Sequence, residues 1–140
     1  PGTVDAMPEE RKTFAVGAQT RLAVVADMST LFEPGAEVVP GVEAVDTSGH
    51  TPGHMSYMVH GGSSPVLIAG DAITHFAVSF AHPGWPSGSD QDAEKGVATR
   101  LKLLDRLAAD KAMLTAYHLP KPGEGRVERD GSAYRFVASA

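Results

Sequence analysis

The sequence contains no cysteine, so disulfides and thiolate metal sites are excluded, and any metal must be held by imidazole and carboxylate. It also has no excess of positive charge. Twelve Lys and Arg stand against 17 Asp and Glu, a net charge of −5, which leaves no basic field to attract phosphates and argues against a nucleic-acid partner. No apolar run approaches the roughly 20 residues of a membrane-spanning helix, and the start lacks the pattern of a secretory leader. The absence of cysteine fits a cytoplasmic protein. No histidine occurs in residues 1–40. Nor is there a leading Met: Pro1 opens the chain, as expected after cleavage, a trimmed tag or a deliberate cut. What is present is ordinary for a globular protein. The 140 residues are 42% hydrophobic and 21% charged, which suits a single domain, 1–140, with a core of adequate size.

Hydrophobic spacing predicts a helix from Met7 to Met28, with Pro8 in its first turn, Glu9 and Glu10 at the positive end of its dipole, and an apolar stripe of Phe14, Ala18, Leu22 and Val25. Short strands are expected at Ser29 to Phe32 and Glu37 to Val39, on either side of the Pro34-Gly35 turn. Stronger strand signals follow at Gly41 to Thr47 and at Met55 to His60, where residues alternate between two faces. After the Gly61-Gly62-Ser63-Ser64 turn, the run Val66 to Ala69 is apolar throughout and is expected to be buried on both faces. The stretch from Gly70 to Ser89 has the look of a functional loop. Ser89 and Asp92 can cap a helix over about Asp90 to Asp110, its core-facing stripe formed by Val97, Leu101, Leu104 and Ala108. Met113 to Ala116 reads as a strand, and a hairpin turning at Asp130-Gly131 joins Arg126–Arg129 to Tyr134–Ala138. The expected class is α+β, a mixed sheet covered on one face by two main helices.

Three segments at strand ends carry chemistry: His50-Thr51-Pro52-Gly53-His54, Gly70-Asp71, and Ala116-Tyr117-His118. Pro52 and Gly53 impose a tight turn that aims His54 out of the sheet edge. Two histidines and an aspartate at the ends of neighbouring strands can converge, and imidazole with carboxylate is a ligand set for zinc, manganese or iron(II). Hydrogen-bonded structural residues would have the same spacing, and the spacing leaves both readings open.

The segments Thr47-x-Gly-His-Thr-Pro-Gly-His-Met-x-Tyr57, Ile68-Ala-Gly-Asp71, Ala116-Tyr-His-Leu-Pro-x-Pro-Gly-x-Gly-Arg-Val127 and Tyr134-Arg-Phe136 together resemble the metallo-β-lactamase superfamily, and within it the branch of methyl parathion hydrolase and lactonase-like enzymes. The resemblance implies half of a four-layer αβ/βα sandwich, the C-terminal half, with metals in the cleft between the halves. It implies metal ligands at His54, at Asp71 (bridging two metals and so the candidate catalytic residue) and at His118, with zinc or another divalent transition metal as cofactor. His50 matches no ligand and is expected to stabilise the turn. His75 is a candidate partner of Asp71, and Phe76, Phe80, Trp85, Leu119 and Pro120 are candidates for pocket walls or loop packing; His60 and His82 are expected at the surface. In intact relatives a metal-bound hydroxide attacks an ester, lactone or phosphotriester.

The family's H-x-H-x-D-H cluster is missing from this sequence. Lys121 and Glu124 also depart from the aromatic and aliphatic residues common in the branch. The expectation is therefore a half-domain of a binuclear hydrolase, weak or inactive alone, with a small-molecule substrate if active. Alternatives are a non-catalytic self-associating domain, or one chain of a split enzyme. An uncovered sheet face would favour a homodimer.

Overall fold

The computed structural model describes residues 4–6 and 8–139. They divide into two compact units, one up to residue 32 and one from residue 33 onward.

In the first unit, helix α1 (Glu9–Val25) starts after Pro8 with Glu9 and Glu10 in its first turn, and a 3-10 turn at Ala26–Met28 follows. The α-helix is shorter than the expected Met7 to Met28: Pro8 caps it from outside, the last three residues are the 3-10 turn, and Met7 lies outside the described residues. The stripe behaves differently. Phe14 is 76% and Leu22 65% exposed, and no residue of α1 is buried. Val16 and Val24, equally apolar, lie off the stripe, so α1 has no single apolar face. Ser29 to Phe32 form no strand.

The second unit is built on a seven-stranded sheet in chain order: β1 (Glu37–Val39), β2 (Val42–Asp46), β3 (Met55–Val59), β4 (Val66–Ile68), β5 (Met113–Thr115), β6 (Glu124–Asp130) and β7 (Ala133–Ala138). All neighbours are antiparallel except β4 and β5. A parallel pair needs a long crossover, and here it carries a short helix, α2 (Val78–Ala81), and the long α3 (Ala93–Asp110).

Register sets the core. Met58 pairs with Leu67 and Leu67 with Leu114, so their side chains form one row across β3, β4 and β5. Phe80 of α2 and Leu103, Leu104 and Leu107 of α3 pack on that row, with Ile73, Val127 and Tyr134 completing the cluster. The opposite face is more open: Ile68 is 45% exposed, so β4 is buried on one face only, not on both. An unbroken apolar run does not distinguish a face that helices cover from a face left bare.

Helix α3 is capped by Asp92, whose carboxylate accepts from Lys95 N at 3.0 Å. Its buried face is Gly96, Arg100, Leu103, Leu104 and Leu107. Of the expected stripe only Leu104 is fully buried, and Leu101 is 37% exposed. The true face is rotated from the expected one because it includes a glycine and an arginine, which hydrophobic spacing discards. No helix among the described residues is long and apolar enough to cross a membrane.

Candidate functional site

The strand ends bring His50, His54, Asp71 and His118 together. His118 Nε2 lies 3.0 Å from Asp71 Oδ1, across 47 residues of sequence, and the imidazole N–H donates to the carboxylate. His50 Nε2 lies 3.7 Å from the other oxygen, Asp71 Oδ2. Asp71 thus stands between two imidazoles, half-exposed, on the 3-10 turn Gly70–Ala72 that follows β4. Its side chain is placed by β4 and β5, which lie parallel and end side by side.

His54 has a different position. Asp71 N–H donates to its Nε2 at 3.1 Å, and Nδ1 contacts Thr47 Oγ1 at 2.8 Å. The direction of the whole chain of bonds follows. Nε2 accepts and is unprotonated, so in the neutral ring Nδ1–H donates to Thr47. The Thr47 hydroxyl then donates to Ser56 Oγ at 2.8 Å, and Ser56 donates to Ala69 O at 3.1 Å. Thr47 and Ser56 are buried, so each needs these partners. Burial, then the neighbouring His50, lowers the pKa of His54 and favours the neutral form this network requires. Gly70 has φ +53°, and a Cβ there would stand 2.9 Å from His54 Nε2. His54 therefore braces the Asp71 backbone.

His50 is held from behind. Its Nδ1 is 3.2 Å from Asp90 Oδ1, and its ring meets that of His54 edge to face at 5.9 Å. Asp90 in turn pairs with Arg100 at 3.3 Å, both side chains 3% exposed. Burial lowers the Arg100 pKa, and Asp90 counteracts this. Arg100 also donates to Pro83 O at 3.1 Å and Trp85 O at 2.7 Å, pinning the loop before α3.

No protein-family model matches the sequence. An N-acyl homoserine lactonase of Bacillus sp is 49% identical over 73 residues, which are 51% of this chain and 29% of that protein. The crystal structure of the hydrolase AbOPH, in the β-lactamase superfamily, superposes with TM-score 0.84 at 27% identity, over 98% of this chain and 49% of that one. The chain has the metallo-β-lactamase fold. AidC, a dizinc quorum-quenching lactonase solved with a product, shares the fold at TM-score 0.88 and 22% identity, over 99% of this chain and 50% of that one. The chain thus spans about half the length of these two structures.

The two histidines of the His-Thr-Pro-Gly-His motif make different contacts. His54, expected as a ligand, has both ring nitrogens engaged inside the chain. His50, expected only to stabilise the turn, is the one whose Nε2 faces Asp71. The donor chemistry, two imidazoles and a carboxylate, is that of a zinc site. The arrangement is not: among the described residues no group of three or more His, Cys, Asp or Glu is disposed to hold a metal ion. Asp71 bonds to His118 directly instead.

The other candidates disperse. His75 caps α2, accepting at Nδ1 from Ala77 N and Val78 N at 3.1 and 3.2 Å, and stacks on Phe76. Phe76 and Trp85 are 52% and 57% exposed, with Trp85 stacked on His82 at 4.1 Å. Phe80 is core, 5.8 Å from Phe136, and Leu119 packs partly against that core. His60 pairs with Glu43 at 3.7 Å at the surface, and Lys121 and Glu124 are exposed. Asp90 and Arg100 were not among the sequence candidates; an arginine falling within a leucine-rich helix was the available signal.

Proposed function

We propose that this chain supplies one part of the centre of a metal-dependent hydrolase acting on a lactone, ester or phosphotriester, and that alone it binds metal weakly and turns over little substrate. The observation that carries this reading is the Asp71 carboxylate set between His50 Nε2 and His118 Nε2 at one end of the sheet. The similarity to lactonases supports the substrate class. His50, Asp71 and His118 are the residues offered to the metal, and His54 holds the Asp71 backbone in place. The remaining ligands come from a segment with histidines at close spacing, which this sequence lacks.

Zinc stoichiometry and turnover of an aryl ester and a homoserine lactone test this, with the chain alone and mixed with a polypeptide bearing the H-x-H-x-D-H cluster. Alone, little zinc and little turnover are expected; with the second polypeptide both rise, and Asp71→Asn or His118→Ala cancels the gain. Tight zinc and efficient turnover by the chain alone would refute the half-centre, and no gain on mixing would refute the hydrolase.

A second reading concerns the sheet face that carries Ile68, which is 45% exposed beside the half-buried Val59 and Val66. Such a face favours a homodimer. Sedimentation of the chain is expected to show a dimer that Ile68→Lys dissociates; a monomer at high concentration counts against it.

A further inference from the structure

Asp90 precedes α3 and lies 40 residues from His50, yet the two touch at 3.2 Å. The contact is stitched on both sides. Gln91 N donates to His50 O at 3.1 Å and Asp92 N to Gly49 O at 3.0 Å, while Thr99 Oγ1 donates to Ser48 O at 2.6 Å. The loop between β2 and β3 is therefore tied to the start of α3. Within it, Asp90 divides its two oxygens: Oδ2 faces Arg100 Nη2 at 3.3 Å and Oδ1 faces His50 Nδ1.

A carboxylate beside a guanidinium has no proton to give. In its bond with Asp90 the imidazole of His50 must be the donor, with its proton on Nδ1. In the neutral ring this leaves Nε2 with a free lone pair, and Nε2 is the atom directed at Asp71. Arg100 keeps Asp90 from turning away, because its Nη1 is fixed on the carbonyls of Pro83 and Trp85.

We propose that Asp90 is a positioning residue: through its buried pair with Arg100 it fixes the tautomer and direction of His50, so that Nε2 is presented to the Asp71 side of the site. A carboxylate behind a metal-facing imidazole has this effect in general. The inference rests on the reading of His50 and Asp71 as this chain's share of a catalytic centre, but its primary readout needs no metal.

Long-range nitrogen–proton correlation spectra of the 140-residue chain, labelled at histidine, read the tautomer directly. They are recorded well above the ordinary imidazole pKa of about 6.5, with His50→Gln to assign the signals. The expected result is a protonated Nδ1 and an unprotonated Nε2 for His50. In a folded Asp90→Asn chain the pattern shifts toward a mixture of tautomers, while the His54 signals stay in place. An Nε2–H or averaged ring in the wild type overturns the proposal, and this measurement decides it even if the variant does not fold. A folded variant with His50 unchanged overturns it too. Absence of zinc binding in the wild-type chain completed by its missing histidines would count against the hydrolase reading alone and leave the tautomer result standing.

Discussion

Gly96 sits inside α3, where replacing glycine by alanine ordinarily stabilises a helix by about 0.5–1 kcal/mol. Here the sign should reverse. A Cβ on residue 96 would lie 2.4 Å from Asp90 Oδ2 and 2.9 Å from its Cγ, and on its other side the Gly96 backbone sits against Gly49. Asp90 has no room to withdraw, because it is bonded to His50 and Arg100 and its side chain is 3% exposed. Relief by local shifts of a packed region costs about 1–3 kcal/mol, and separating a buried ion pair costs about 3–5 kcal/mol. Set against the helix gain, breaking the Asp90–Arg100 pair leaves Gly96→Ala about 2–4 kcal/mol less stable than wild type, and local shifts alone leave about 0–2. The first is expected, since the residues around Asp90 are bonded to the β2–β3 loop through Gln91 and Asp92 and offer little give. Urea denaturation with an unchanged m-value measures the difference. A variant as stable as wild type, or more stable, would refute the reasoning that the helix N-terminus is locked through Asp90.

Two further outcomes follow from the His54 brace. Gly70→Ala places an L-residue at φ +53° and pushes on His54 Nε2; left-handed strain of about 1–2 kcal/mol and a hydrogen bond worth about 1 kcal/mol give a loss of about 2–3 kcal/mol. In a His54→Ala background the same change should cost only the strain, and equal costs in both backgrounds would show that the two residues are not coupled. Stability should also depend on pH through His54. Its folded pKa lies below the ordinary value of 6.5, so as pH falls through that value the unfolded chain takes up a proton that the folded chain resists. Stability is therefore full above that pH, declines below it, and levels off once the folded ring protonates as well. Denaturation midpoints across pH should show this decline in the wild type and a smaller one in His54→Gln; identical profiles would contradict it.

Much of the sheet was legible because its signals are local. Alternation marked β3, the Asp130-Gly131 turn marked the last hairpin, and the unbroken run before Gly70 marked β4. Strand ends bearing His50, Asp71 and His118 were legible for the same reason, and their convergence follows once β4 and β5 pair in parallel. Which nitrogen faces which group was not. His50 and His54 sit four residues apart in one turn, and nothing in their spacing says which ring turns inward. Asp71 N–H, Thr47 and Ser56 claim His54, and Asp90, from a distant segment, claims His50.

The sequence by itself determined the resemblance to a known fold, most of the strands, the donor chemistry and the absence of a histidine cluster in its first 40 residues. The tertiary structure alone decided the buried face of α3, the exposure of β4 on one side, and which groups each of the two motif histidines contacts. Composition and periodicity report what each residue could bury or bind. The partner it finds depends on long-range register, which here brought Asp90 and Arg100 behind His50.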